Sequence, residues 1–161
     1  MPEEFRPSGN AFQDFCTMLG LMTMIWAWAE NSLAIAIGVI NRHAGPIKGY
    51  PEPPLSLSRR LDCLKVALRD IALLKPLQEE GRALVVRFKE LGARRHKFVH
   101  GAAWQAKHGG FESVGIGVRA GQNTVDNHRF DQADTVRLNA EIAKLQDDAA
   151  AFLLRVNAIF S

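Results

Sequence analysis

A chain of 161 residues, 47% hydrophobic and 23% charged, has room for one domain with a sizeable core, and its composition excludes a disordered or low-complexity protein. Its formal charge of +3 and pI near 9.1 permit an anionic partner but are too small an excess to argue for one. Cys16 and Cys63 fall inside helical patterns with no partner at metal-ligand spacing, so both read as buried structural thiols in a reducing compartment, and a zinc ribbon is excluded.

Residues 1–9 read as a loose lead-in. Asn10 with Gln13 three positions later is a capping-box signature that starts a helix. The helix should run to about His43, where Gly45-Pro46 supplies a left-handed stop and a residue that cannot continue it. From Phe15 to Ile40 the only formal charge is Glu30, which invites reading the segment as a membrane span or a signal. Glu3, Glu4 and Asp14 against Arg6 have the wrong sign for a signal n-region, and Glu30 beside Asn31 would be costly near the middle of a span. The expectation is therefore a buried helix of a soluble, cytoplasmic protein with no membrane partner.

Within this helix Leu19, Met22, Trp26, Ala29, Leu33, Ala36 and Ile40 form one apolar stripe. A second stripe is small or polar, with Gly20, Ala27, Ala34 and Asn41 seven apart, flanked by Thr17, Glu30, Asn31 and Gly38. Small residues at that period let another helix approach closely, by default in the same subunit. A helix apolar nearly all round has more to bury than a small bundle offers, so a homodimer seam is the alternative.

Residues 44–55, with Gly45, Pro46, Gly49, Pro51, Pro53 and Pro54, are a connection. A second helix follows, capped by Ser56 or Ser58, with Leu57, Leu61, Leu64, Leu68, Ile71 and Leu74 on its apolar side. Pro76 suits the first turn of a third helix. After Gly101, Val114, Ile116 and Val118 alternate with Gly115 and Gly117, Ala120-Gly121-Gln122-Asn123 reads as a turn, and Thr124 to Phe130 returns as a second short strand. Asp131, with Asp134 three on, opens a last helix whose stripe is Leu138, Ile142, Leu145, Ala149, Phe152, Val156 and Ile159. The predicted fold is all-α, a four-helix bundle in one domain with a short β-hairpin inserted before the last helix.

The third helix carries the feature with the most chemistry. Leu77, Gly81, Leu84, Phe88 and Leu91 alternate at spacings of four and three, and the next positions of that series are Arg95 and Phe98. An arginine thus falls where an apolar side chain is called for, and functional sites are expected at such breaches of pattern. A snorkelling arginine at a helix end breaches it as harmlessly. Around it, Arg94-Arg95-His96-Lys97-Phe98-Val99-His100-Gly101 places fixed positive charge and two imidazoles on about two turns. Arg82, Arg87, Lys89, Arg94, Arg95, Lys97 and Lys107 crowd this third of the chain, where a solvated helix face is the commoner explanation.

Arginine, an adjacent polar residue, three more residues, then histidine and glycine at the end of a bundle helix resembles the HEPN superfamily of all-α domains. The residues that carry the resemblance are Arg95, His96, His100 and Gly101, with a weaker echo in Trp26, Trp28 and Glu30 of the first helix. Many members have asparagine after the arginine; histidine here is a substitution the family admits, and the inserted hairpin is a departure. The resemblance implies an up-and-down bundle that cleaves RNA as a homodimer, its two motifs facing each other, with no metal or cofactor. It also suggests a toxin or defence component restrained by an antitoxin-like protein partner.

That chemistry needs a base to take the proton of a ribose 2′-hydroxyl, an acid to protonate the leaving 5′-oxygen, and a cation for the charge growing on phosphorus oxygens. Histidine serves either proton transfer near neutral pH, and Arg95 can fork two donors onto a phosphate. The expected roles are Arg95 as phosphate clamp, His100 as proton-transfer residue and His96 as orienting or assisting residue. Arg94 and Lys97 would add field, with Glu30 and Asn31 in support. One alternative is a non-catalytic bundle that dimerises and binds nucleic acid or a protein. Another is metal binding, since His96 and His100 stand four apart with His108 or His128 as further ligands; no carboxylate or cysteine accompanies them, so no metal is expected.

Overall fold

Asn10 caps the first helix through Oδ1, which accepts the backbone N–H groups of Phe12 (3.1 Å) and Gln13 (3.2 Å) and so satisfies donors that a helix start leaves over. In the computed structural model, which describes residues 10–99, 102–105, 111–119 and 122–161, this helix, α1, spans Ala11–Ala44. It is followed by α2 (Leu57–Asp70), a 3-10 turn (Ala72–Leu77) and α3 (Gln78–Val99). Strands β1 (Ala102–Gln105), β2 (Phe111–Arg119) and β3 (Gln122–Phe130) lead into α4 (Gln132–Phe160). The described chain is mostly helical, in keeping with the all-α expectation.

Gly45 ends α1 with φ of 83°, in the left-handed region where a side chain is strained. The second helix stops earlier than its leucine pattern suggested. Ile71 turns extended (φ −98°, ψ 108°), and Leu74 is buried on the 3-10 turn instead of on α2. Pro76 accounts for the break: it lies inside that turn and not in α3, and its missing N–H and bulky ring bar an unbroken α-helix through this point. At α4, Asp131 Oδ1 accepts the Asp134 N–H (2.7 Å) and Asp134 Oδ2 accepts the Asp131 N–H (3.1 Å), a reciprocal cap.

Three strands, where two were expected, separate α3 and α4 in an antiparallel sheet of order β1-β2-β3. β2 pairs with β3 from Phe111 opposite Phe130 to Arg119 opposite Gln122, and β1 pairs with β2 from Ala102 opposite Val114 to Gln105 opposite Phe111. Gln122 and Asn123, expected in a turn, belong to β3; Ala120 and Gly121 lie outside the described residues. β1 has 4 residues, too few to display a period of two.

The chain divides into two compact units, one comprising the chain to Met24 with Leu91–Glu141, the other Ile25–Glu90 with Ile142–Ser161. The second is a helical bundle. The Trp26 ring of α1 meets Phe88 of α3 edge-on at 5.6 Å and 78°, and α3 approaches α2 and α4 at Gly81, whose position faces Leu68 and Phe152. Ion pairs Arg87–Asp148 and Arg155–Glu80 join α3 to α4 at the surface, and His43 stacks on Phe160 at 5.7 Å. Leu33, Ile37, Ile40, Leu64, Leu68, Phe88, Leu145 and Phe152 form its covered core, which is the hydrophobic burial that drives folding.

In the first unit Phe15, Met18 and Met22 of α1, Leu91 and Phe98 of α3 and Leu138 of α4 are buried. Asn139 is buried among them and donates from Nδ2 to the Met18 carbonyl (3.3 Å). Cys63 is buried as expected, but Cys16 is exposed: the buried positions of this turn are Asp14, Phe15 and Met18, and Cys16 falls on the other side of the helix. By length and composition, Phe12–Ala44 would suffice to cross a membrane (mean hydropathy 1.4), yet one side of it, including Met22, Ala29, Leu33, Ala36 and Ile40, is fully covered by protein.

Among the described residues the other side of α1 is less covered. Thr17, Gly20, Ala27 and Asn31 are exposed and Ala34 half-buried. Among the described residues nothing lies within 4 Å of a Cβ built on Gly20 or on Gly38. Among the described residues the small-residue stripe is thus exposed at Gly20 and Ala27 and half-buried at Ala34 and Asn41.

Candidate functional site

The alternation that builds α3 holds to its last turn. Leu77, Leu84, Phe88 and Leu91 are buried, Gly81 is buried, and so is Phe98 (7% exposed). Arg95 sits on that line between Leu91 and Phe98 and is half-buried, with the Nε of its guanidinium covered. His96 and Lys97, the next two positions, are exposed. The fixed charge of Arg95 and the imidazole of His96 are thus adjacent on the final turn of one helix, where the chain's carbonyls also favour cations.

Arg94 is exposed and forms an ion pair with Glu141 of α4 within the same unit. Its charge is matched locally, so it adds less to a phosphate-attracting field than the sequence suggested. The same holds for two further cations of the basic run. Arg87 is paired with Asp148, and Lys89 lies 4.0 Å from Asp62, which also accepts from Lys65. Three of the cations that sequence reading assigned to this region, Arg87, Lys89 and Arg94, are braced against carboxylates of α2 and α4, geometry that no spacing rule along one helix reveals.

His100, the expected proton-transfer residue, lies outside the described residues, as do Gly101, Lys107 and His108. His128 belongs to β3, in register with Ser113. Among the described residues no three or more His, Cys, Asp or Glu side chains gather into a set able to hold a metal ion.

Glu30 and Asn31 belong to the second unit. Glu30 accepts a short hydrogen bond from the Trp26 indole N–H and faces Arg60 of α2 at 3.9 Å. Arg60 in turn donates from Nε to the Pro54 carbonyl (2.9 Å). Glu30 is therefore the hub of a Trp26–Glu30–Arg60 arrangement that ties α1 to α2 and to the proline-rich connection. Asn31 is exposed on the less covered side of α1. Sequence reading missed Arg60, which stood on the wet face of α2 with nothing to pair it with a residue so distant in the chain.

Burial raises the Cys63 thiol to about 11, because the thiolate would lose its hydration, so this cysteine is no nucleophile at neutral pH. Comparison with known proteins brought no match: no family model, no curated protein and no solved structure matches this chain.

Proposed function

We propose that the chain is a HEPN-like domain that cleaves RNA without a metal, as a homodimer in which Arg95, His96 and His100 of two copies face one another. The observation that carries this reading is the placement of Arg95, half-buried on the core line of α3 between Leu91 and Phe98, with the exposed imidazole of His96 beside it. A guanidinium flanked by apolar side chains is screened less by water, so its attraction for a phosphate is stronger than at an open surface. One imidazole takes the proton of a 2′-hydroxyl, the 2′-oxygen attacks phosphorus, and the bond from phosphorus to the 5′-oxygen breaks. A second imidazole protonates that leaving oxygen, which yields a 2′,3′-cyclic phosphate and a 5′-hydroxyl. Arg95 holds the charge that gathers on the non-bridging oxygens.

One His100 cannot be base and acid in the same step, which is the chemical reason for two copies or for help from His96. Support for a second copy comes from the less covered side of α1, where Trp28 is 50% and Ile35 45% exposed and Gly38 has free space beside it; exposed apolar area of this kind is a mark of association surfaces. A reducing, cytoplasmic setting and an antitoxin-like protein that restrains the activity complete the reading.

Purified protein in EDTA should cut single-stranded or structured RNA and leave 2′,3′-cyclic ends, with Arg95→Ala and His100→Ala folded but inactive. A well-folded dimer that leaves RNA intact would overturn it. The exposure of Trp28 and Ile35 also favours a second reading, a non-catalytic dimerisation or binding module; then His100→Ala leaves every phenotype unchanged while Trp28→Ala and Ile35→Ala abolish association.

A further inference from the structure

The connection between α1 and α2 folds back into a cleft of about 440 Å³ at the start of α2, within the ~300–1,000 Å³ range of small-molecule sites. Its walls include Tyr50, Glu52, Leu55, Ser56 and Arg59, together with three prolines. The walls are built and not merely passed through. Gly49, with φ of 80°, turns the chain so that the Tyr50 N–H bonds the Ile47 carbonyl at 2.7 Å, and Ile47 is buried. At the far end Pro54 is buried and its carbonyl accepts from Arg60. Between these anchors every residue from Tyr50 to Pro54 either is a proline or precedes one, which restricts its backbone and lowers the entropy lost when a ligand binds.

The lining groups are of complementary kinds. Tyr50, the one tyrosine of the chain, is half-buried and offers an aromatic face beside the prolyl rings. Arg59, in the first turn of α2, is exposed and makes no ion pair among the described residues. Ser56 makes no side-chain cap hydrogen bond to the helix it precedes, so its hydroxyl can serve a ligand. Glu52, exposed, can only accept hydrogen bonds when ionised.

We propose that this cleft binds one nucleotide unit, with its base against Tyr50 and the prolines, an exocyclic amine of the base donating to Glu52, and its phosphate at Arg59 and Ser56. Base stacking on an aromatic ring tolerates any base, and a guanidinium is the side chain best shaped for phosphate oxygens. Glu52 then favours amine-bearing bases, so adenine is preferred to uracil. The same unit occurs as a free nucleotide or as a link in a strand. The strand form rests on the RNA reading above and would make the cleft a second contact on the strand; the free form does not depend on it.

Equilibrium binding of the full chain decides it, with adenosine and uridine 5′-monophosphates in one arm and a 2′-O-methyl oligoadenylate, which lacks the attacking hydroxyl, in the other. Binding in at least one arm should weaken about tenfold on Tyr50→Ala and on Arg59→Ala and survive Tyr50→Phe. Loss confined to the oligonucleotide arm identifies a strand unit; loss in the mononucleotide arm, with adenosine bound more tightly than uridine, identifies a free nucleotide. Because Arg59 is exposed, its variant keeps the test valid if Tyr50→Ala fails to fold. Absence of binding in both arms, or binding indifferent to Arg59→Ala, overturns the proposal, and neither result bears on cleavage by the α3 motif, which the EDTA assay reads separately.

Discussion

A Cβ added to Gly81 of α3 would stand 2.5 Å from Cδ1 of Leu68 on α2 and 3.2 Å from Cε2 of Phe152 on α4. The glycine is therefore a point at which three helices of the second unit approach one another closely. Alanine in a helix interior is favoured over glycine by up to ~1 kcal/mol, while overpacking a filled core costs ~1–3 kcal/mol. Leu68 is 2% exposed and has little room to yield, so overpacking wins. Gly81→Ala should lower the thermal midpoint by about 2–4 °C. Gly38→Ala, with nothing within 4 Å of its Cβ, should raise it in the monomer by helix propensity alone. A Gly81→Ala protein that melts above its parent would show that the close approach is absent.

Glu30 serves the Trp26 indole and Arg60 together, and Trp26 is 4% exposed. Glu30→Ala strands a buried N–H donor, which costs about 1–3 kcal/mol. Glu30→Gln keeps an acceptor and should lose less. Urea unfolding of the two variants reads the difference; equal losses would mean that the indole bond contributes nothing.

The two thiols should react in sequence. Cys16 is exposed and Cys63 buried, with the latter raised to about 11 by burial. At mildly alkaline pH an aromatic disulfide reagent should modify Cys16 promptly and reach Cys63 only when denaturant opens the bundle. Prompt modification of both in native buffer would contradict the packing around α2.

Asp134 should make stability depend on acid. The Asp131 backbone N–H, then the Arg137 guanidinium, hold its carboxyl below the usual carboxylate value, so its folded pKa is depressed relative to the unfolded chain. The stabilisation is then complete above the ordinary carboxylate range and disappears as pH falls through the depressed value. Asp134→Asn should remove this component, so that parent and variant differ at neutral pH and converge in acid. A constant difference at all pH values would assign the effect to something other than the charge.

Neighbouring arginines should behave differently. Arg94 is spent on Glu141 at the surface, a kind of pair that contributes only about 0–1 kcal/mol, whereas Arg95 is half-buried on the core line of α3. Under the proposed activity, Arg94→Ala should change RNA cleavage less than about tenfold and Arg95→Ala more than about a hundredfold. Equal losses would show that the motif acts as a diffuse basic patch.

Much of the fold was legible because helices write their buried face at a period of 3.6. Leu138, Ile142, Leu145, Ala149, Phe152 and Val156 of α4 were all expected inside and all are fully buried, and the caps at Asn10 and Asp131 were visible as residue types at fixed offsets. Less legible was the region between α3 and α4. β1 is too short for a pattern, and Leu74 continued the α2 stripe in phase although Pro76 forces a 3-10 turn. At the candidate site, the breach of pattern at Arg95 was visible, while the partners of Arg94 and Glu30 were not.

By itself, then, the order of residues determined which faces turn inward, where helices begin, and that an arginine interrupts the core line of α3. These are local facts, governed by backbone sterics, capping and hydrophobic spacing within a few turns. Tertiary structure decided which charges are spent on one another, that Glu30 is held by Trp26 and Arg60, that Gly20 and Ala27 on the small-residue side of α1 are exposed, and that a proline-rich connection borders an open cleft. Such outcomes depend on side chains brought together from distant parts of the chain, and periodicity along one helix carries no information about its neighbours.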